Sequence, residues 1–287
     1  MTGSSALVTT LVNGQPTRCV DVADRGFQYG DGTFTTVAVR RGVPLFWPLH
    51  LARLDRDCRK LLIPFPGGAC LEPDMRTLCT AQPEGVLKIQ ISRGIGGRGY
   101  RVPEPARVTR VLSMHPLPDY PPELWTNGVE ARLCESRLSI NPGLAGIKHM
   151  NRLEQILARA EWSAEEIREG IMLDAEGYVA EGTMSNVFLV KNGLLFTPKI
   201  DRCGVAGVMR SLAIAVALEN GVAVAESRVT LEELYAADEV FLTNCVIGLW
   251  PVNRCEARTY GVGPVTREID RWLRMKVERE LAVACNG

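Results

Sequence analysis

The 287 residues are 46% apolar and 23% charged, an ordinary globular mixture with length for two modest domains or one large one. Thirty-three basic side chains balance thirty-three acidic ones, so no global field favours nucleic acid or an anionic membrane, although a phosphate can still be bound locally. Nine scattered cysteines include no C-x-x-C pair and there are only three histidines, which argues for buried thiols in a reducing cytoplasm and against a metal site. Met1 to Asn13 lacks a basic region followed by an apolar run, so no signal peptide is expected. No apolar stretch approaches the roughly 20 residues of a membrane span.

In chain order, Ala6 to Val12 reads as a strand and Asn13-Gly14 as a hairpin turn. Thr33 to Arg40 is rich in strand formers, and Arg41-Gly42 turns it into Val43 to Phe46. Pro48 opens a helix with Leu51, Leu54, Cys58 and Leu61 at helical spacing. A short helix over Glu72 to Thr80 follows, then strands over Val86 to Ser92 and Val108 to Met114. Four prolines fall between His115 and Pro122, the best linker in the chain. The expected organisation is α+β with a small α/β domain over residues 1–115, a linker over 116–122 and a larger domain over 123–287.

The second part begins with a strand near Val129 to Cys134. A helix follows from about Asn151, with Leu153, Ile156, Leu157 and Ala160 expected inward and Asn151 and Glu154 at capping-box spacing. Hairpins turn at Ala175-Glu176-Gly177 and Lys191-Asn192-Gly193. A helix over Gly207 to Glu219, strands over Val222 to Ser227 and Glu239 to Thr243, and a helix near Val265 to Leu281 complete the reading.

Six lysines exist. Lys60 and Lys276 lie on charged helical segments and Lys191 and Lys199 at turns; Lys88 interrupts an apolar strand and is a second candidate. Lys148 follows the small-residue stretch Gly143 to Gly146 and precedes a helix, where apolar neighbours strip its solvation and free its lone pair for nucleophilic work. Glu181 follows a strand and has Thr183, Ser185 and Asn186 to orient a buried carboxylate; Glu176 competes from a hairpin tip. Cys203-Gly-Val-Ala-Gly207-Val208-Met209 runs from a glycine-bearing loop into a helix, a place for phosphate. Arg53, Arg56 and Arg59 are equally available to it by spacing, and Thr243-Asn244 ends a strand with further polar groups.

These motifs resemble the class IV aminotransferases, the fold-type IV pyridoxal phosphate enzymes, from Asp24-Arg-Gly-Phe-Gln-Tyr-Gly-Asp-Gly32 to Asp238-Glu-Val-Phe-Leu-Thr-Asn244. The resemblance implies that Lys148 forms a Schiff base with pyridoxal 5'-phosphate and that Glu181 partners its pyridine nitrogen. It further implies that Arg53, the backbone of Val208 and Met209, and the Asn244 side chain hold the phosphate, while Arg98 and Tyr100 meet substrate carboxylates. Ile91 to Tyr100, Leu144 to Glu154 and the threonine at 36 resemble the lyase branch. That branch converts 4-amino-4-deoxychorismate to 4-aminobenzoate and pyruvate; the alternative is an aminotransferase of D-amino or branched-chain amino acids. Thr36 would position a proton or the substrate, or simply favour its strand. The implied fold is a small α/β domain plus a larger domain with a β-barrel-like core, in a homodimer with the cofactor between domains.

Overall fold

The computed structural model describes residues 9–285. The chain divides into two compact units. The first runs through Pro118 and takes in Lys148–Asn151 and the chain from Arg279 on; the second comprises Asp119–Ile147 and Arg152–Glu278. Among the described residues no helix is long and apolar enough to cross a membrane.

The first unit contains β1 (Thr10–Val12), α1 (Arg25–Tyr29), β2 (Gly32–Arg40), β3 (Val43–Pro44), α2 (Trp47–Lys60), α3 (Gly68–Ala81), β4 (Gly85–Ser92) and β5 (Thr109–His115). Its strands form one antiparallel sheet in the order β1-β5-β4-β2-β3. Residues 6–8 of the expected first strand lie outside the described residues. The turn after it closes as its residues demand: Asn13 and Gly14 both take positive φ, and Val12 and Gln15 exchange backbone bonds across it. Alternation along β2 puts Thr33, Thr35, Val37 and Val39 on the buried face, opposite Ile91, Ile89 and Leu87 of β4. Leu54 and Cys58 of α2 and Leu71, Met75 and Leu78 of α3 cover that face. Ile89 is fully buried there, so Ile89→Val is expected to cost about 1 kcal/mol of stability. A lower urea midpoint at unchanged slope would show it.

The second unit contains α4 (Glu123–Thr126), β6 (Val129–Leu138), α5 (Leu153–Arg159), β7 (Ile167–Asp174), β8 (Val179–Gly182), β9 (Asn186–Lys191) and β10 (Leu194–Pro198). Then come α6 (Val208–Glu219), β11 (Val224–Ser227), α7 (Leu231–Ala236), β12 (Glu239–Asn244), β13 (Gly248–Cys255) and β14 (Arg258–Thr259), and α8 (Pro264–Cys285) ends the described chain. The strands order as β11-β10-β9-β12-β13-β6-β7-β8, with β14 beside β13. The sheet curls: the Val179 N–H of β8, at one edge, bonds the Val229 carbonyl just past β11, at the other, at 2.8 Å. This is the expected barrel-like core. Val187, Leu189, Val240, Leu242, Trp250 and Val252 fill one side, and Phe188 stacks on Phe241 with ring centroids 4.8 Å apart.

One expectation is reversed. Leu153, Ile156 and Leu157 of α5 are 70%, 60% and 62% exposed, and Ala160 is exposed too. Helical periodicity identified the shared face correctly, but it carries no information about what the face meets. Only Ala158 of this helix is buried, in a cluster with Leu138 and Trp162. The expected capping box is also absent. Arg152 is the N-cap and makes no side-chain capping bond to the helix, its guanidinium donating instead to the Ile147 carbonyl; Glu154 accepts the Ser139 N–H, and Asn151 donates to the Gly30 carbonyl.

Candidate active site

In the first unit, the site is built on β2. Phe34 and Thr36 share the face opposite the buried threonines. The Lys148 Nζ lies 4.6 Å from the Phe34 ring centroid and the Lys88 Nζ 5.3 Å from it. Lys88 stands opposite Thr36 in register. Two ammonium groups thus flank one ring, and the strand lysine given second place in the sequence shares the surroundings of the first. The Lys148 backbone is bonded on both sides: its N–H donates to Asp57 Oδ2 at 3.0 Å, and its carbonyl accepts from the Phe34 N–H at 3.0 Å.

Under this strand lies a buried polar seam on α2. His50, Arg53 and Asp57 follow at three- and four-residue spacing and face the sheet. Arg53 donates to the Thr35 hydroxyl, which lies 2.6 Å from His50 Nδ1. Burial, and secondarily the Arg53 charge, hold the His50 pKa well below the usual range, so the ring is neutral and Arg53 keeps its cation beside it. Arg98 and Tyr100 belong to the loop between β4 and β5. Arg98 is exposed, and Tyr100, 86% exposed, packs its ring edge-on to Tyr29. No bond joins either side chain to Lys148, Thr36 or Arg53 among the described residues.

In the second unit, Glu181 is buried on β8. Its Oε2 accepts the Val205 N–H at 2.8 Å, and Gln155 Nε2 lies 3.4 Å from Oε1. Gly204 has a φ of +80°, and a Cβ there would sit 3.3 Å from Glu181 Oε2, so glycine suits both the turn and the close approach. Asn186 Nδ2 donates to the Val205 carbonyl at 2.9 Å. Glu181 and Asn186 therefore grip both polar groups of Val205 and deliver the chain into α6. At that helix start Gly207 is the N-cap with no side-chain bond, and the first intrahelical bond is from Ser211 N–H to the Gly207 carbonyl. The Val208, Met209 and Arg210 N–H groups precede it at the positive end of the helix dipole.

Beneath the loop after Glu181, fully buried Glu169 accepts from Gly170, Thr183 and Met184 N–H groups and the Thr183 and Ser185 hydroxyls. Burial raises its pKa, and those donors oppose the rise. The Asn244 side chain is engaged within the second unit. Oδ1 accepts the Val246 and Ile247 N–H groups, and Nδ2 donates to the Met184 carbonyl. Thr243 offers the better polar atom: its hydroxyl is buried with no hydrogen-bond partner among the described residues. Thr243 pairs in register with Asn186, whose Oδ1 lies where a Cβ on Gly207 would intrude. The orphan hydroxyl thus neighbours the α6 N-terminus.

A family model described as amino-transferase class IV matches residues 32–255. The chain belongs to the class IV aminotransferases. The crystal structure of 4-amino-4-deoxychorismate lyase from Pseudomonas aeruginosa is similar to it with a TM-score of 0.90 at 46% identity, covering 92% of this chain and 98% of that one. An aminodeoxychorismate lyase of Vibrio harveyi is 37% identical over 90% of this chain and 97% of its own length. A D-alanine aminotransferase of Bacillus licheniformis is 28% identical over 92% and 93%. The family expected from the motifs is therefore the family found. Sequence reasoning missed Asp57 and gave Thr243 only a share in a motif with Asn244. Within this class IV chain, the one available signal for Asp57 is its place four residues after Arg53, on the same helix face.

Proposed function

We propose that this class IV chain is a pyridoxal phosphate-dependent lyase that converts 4-amino-4-deoxychorismate to 4-aminobenzoate and pyruvate. The observation that carries the reading is the 46% identity to the Pseudomonas aeruginosa lyase across almost the whole of both chains, against 28% to the D-alanine aminotransferase. Thr36 in Phe34-Thr35-Thr36 supports it.

Each unit carries groups of the kind that the cofactor takes. Lys148 offers an amine, Glu181 a buried carboxylate, Arg53 a buried cation, and Val208 and Met209 an uncapped helix start beside the orphan Thr243 hydroxyl. When bound, pyridoxal phosphate supplies an electrophilic carbon for amines and a cationic ring that takes up an electron pair. Lys148 would hold the cofactor through its amine and, once freed, would serve as the general base that takes the proton from the amine-bearing ring carbon of the substrate. Glu181 would partner the heterocycle nitrogen and hold its proton there. Arg53 of the first unit would offer a phosphate a fork of donors, and the α6 N-terminus and Thr243 of the second would offer it N–H and hydroxyl groups. Thr36 orients the substrate, and Arg98 and Tyr100 take its carboxylates, where a planar guanidinium suits paired oxygens. Loss of the enolpyruvyl group leaves an aromatic ring, so aromatisation drives the step and the protein chiefly positions groups and manages protons.

Incubation of the purified protein with 4-amino-4-deoxychorismate should release fluorescent 4-aminobenzoate. Amino transfer from D-alanine to 2-oxoglutarate without that release would establish an aminotransferase instead.

The reading includes a homodimer and a cytoplasmic location. The apolar face of α5, with Leu153, Ile156 and Leu157 exposed together, supports burial against a second copy. Ile156→Glu is expected to halve the mass seen by light scattering; an unchanged mass would remove this face from the contact. Cys58, Cys134 and Cys255 are buried thiols whose pKa burial pushes up to about 12, which leaves them unreactive.

A further inference from the structure

We infer that Asp57 is a positioning residue for Lys148: its carboxylate fixes the lysine backbone and thereby the direction in which the amine is delivered. The inference rests on the reading of Lys148 as the cofactor-binding lysine.

Asp57 is fully buried on the sheet-facing side of α2. Its two oxygens have separate duties. Oδ1 accepts from Arg56 Nε at 3.1 Å and Nη2 at 2.9 Å. Oδ2 accepts the Lys148 N–H at 3.0 Å. The Thr33 hydroxyl lies 3.3 Å from Oδ2 and 3.0 Å from the Lys148 carbonyl oxygen, and shares its proton between them. The Phe34 N–H completes the grip on that carbonyl. Both backbone polar groups of Lys148 are therefore anchored to one helix residue and one strand.

The chemistry of the anchor matters. Lys148–Asn151 groups with the first unit, while the chain on either side of it belongs to the second. A short passage of this kind has little local structure to hold it: α5 begins only at Leu153. The Met150 N–H bond to the Gly32 carbonyl fixes the strand-side end, and Asp57 fixes the end that carries the lysine. A charged acceptor makes a stronger bond to an N–H than a neutral one. Burying that charge is costly, and a carboxylate tied to Arg56 on one oxygen and aimed at Lys148 with the other offsets the cost. A flexible four-carbon side chain reaches one point reproducibly only from a fixed Cα, and a displacement of about 1 Å is enough to slow a reaction about 100-fold.

The test strips the protein of cofactor and follows covalent uptake of pyridoxal phosphate at Lys148 by visible absorbance, with borohydride trapping and peptide mass spectrometry to locate the bond. Asp57→Ala is expected to slow uptake about tenfold and to lower kcat while leaving KM within about twofold. Asp57→Asn keeps an oxygen acceptor and should bring uptake back to within about threefold of the unsubstituted protein. Uptake at the original rate in Asp57→Ala overturns the inference, as does an asparagine variant as slow as the alanine one. Should Asp57→Ala fail to fold, hydrogen exchange at the Lys148 amide of the unsubstituted protein decides. Protection matching the β2 amides supports the anchor, and exchange at an open-loop rate overturns it. Failure of the unsubstituted protein to take up pyridoxal phosphate at Lys148 would instead strike the proposed function, and the exchange measurement would still report on the anchor.

Discussion

Lys148→Ala is expected to abolish the visible absorbance of lysine-bound cofactor and to lower turnover on the order of 10⁴-fold, the upper range for loss of a general base. On the proposed reading the alanine variant loses the amine twice over, as the covalent attachment and as the base. The Asp57 and Phe34 bonds at this residue are made by its backbone and survive the change. The ammonium contact with the Phe34 ring is lost, which costs about 0.5–1 kcal/mol in an exposed setting. The variant should therefore fold, and a lost absorbance will report chemistry and not collapse. Lys148→Arg sharpens the test. It restores a cation near the ring but never deprotonates, so it should be as inactive as the alanine variant. Lys88 supplies the rival explanation, because its ammonium lies near the same ring. Full lyase turnover in Lys148→Ala, with borohydride fixing the cofactor on Lys88, would move the nucleophile one strand over.

The parts legible in the sequence are those written in short stretches of chain. Asn13-Gly14, Arg41-Gly42 and Asn192-Gly193 turn where expected because each pair takes positive φ, which few residues tolerate. The run into α6 was readable for a similar reason: an uncapped glycine before a helix leaves N–H groups free whatever surrounds them. What escaped depends on partners distant in the chain. Asp57 meets Lys148 across 91 positions, and its own neighbours suggest only a charged helix. Thr243 gains interest only when β12 pairs with β9 and leaves its hydroxyl buried without a partner. The helix α7 and the strand β13 were not foreseen. β13 pairs in parallel with β6, more than a hundred residues earlier, so nothing local announces it. In α5 the periodicity was right and the direction wrong, because an apolar stripe looks the same whether it meets a core or another chain.

Glu181→Gln separates the electronic role of this carboxylate from its structural one. Glutamine keeps an oxygen that can accept the Val205 N–H, so the loop leading into α6 should hold its course and with it the helix start proposed to bind the phosphate. The Asn186 bond to the Val205 carbonyl is untouched and supports the same course. Cofactor uptake should change by less than about threefold, and the visible absorbance of the lysine-bound form should persist. The missing feature is the negative charge, without which a heterocycle nitrogen has no reason to stay protonated in a buried setting. Turnover should fall on the order of 10²- to 10³-fold, comparable with removing one preorganised electrostatic contact from a transition state. Because the loss lies in the chemical step, kcat should carry it and KM should not. Glu181→Ala removes the Val205 acceptor as well and should add a weakened hold on the cofactor to the slow chemistry. Unaltered kcat in the glutamine variant would leave Glu181 as a brace for the 203–207 loop and nothing more. Weakened uptake at full kcat would point the same way, since only the charge distinguishes the two side chains in the chemistry proposed.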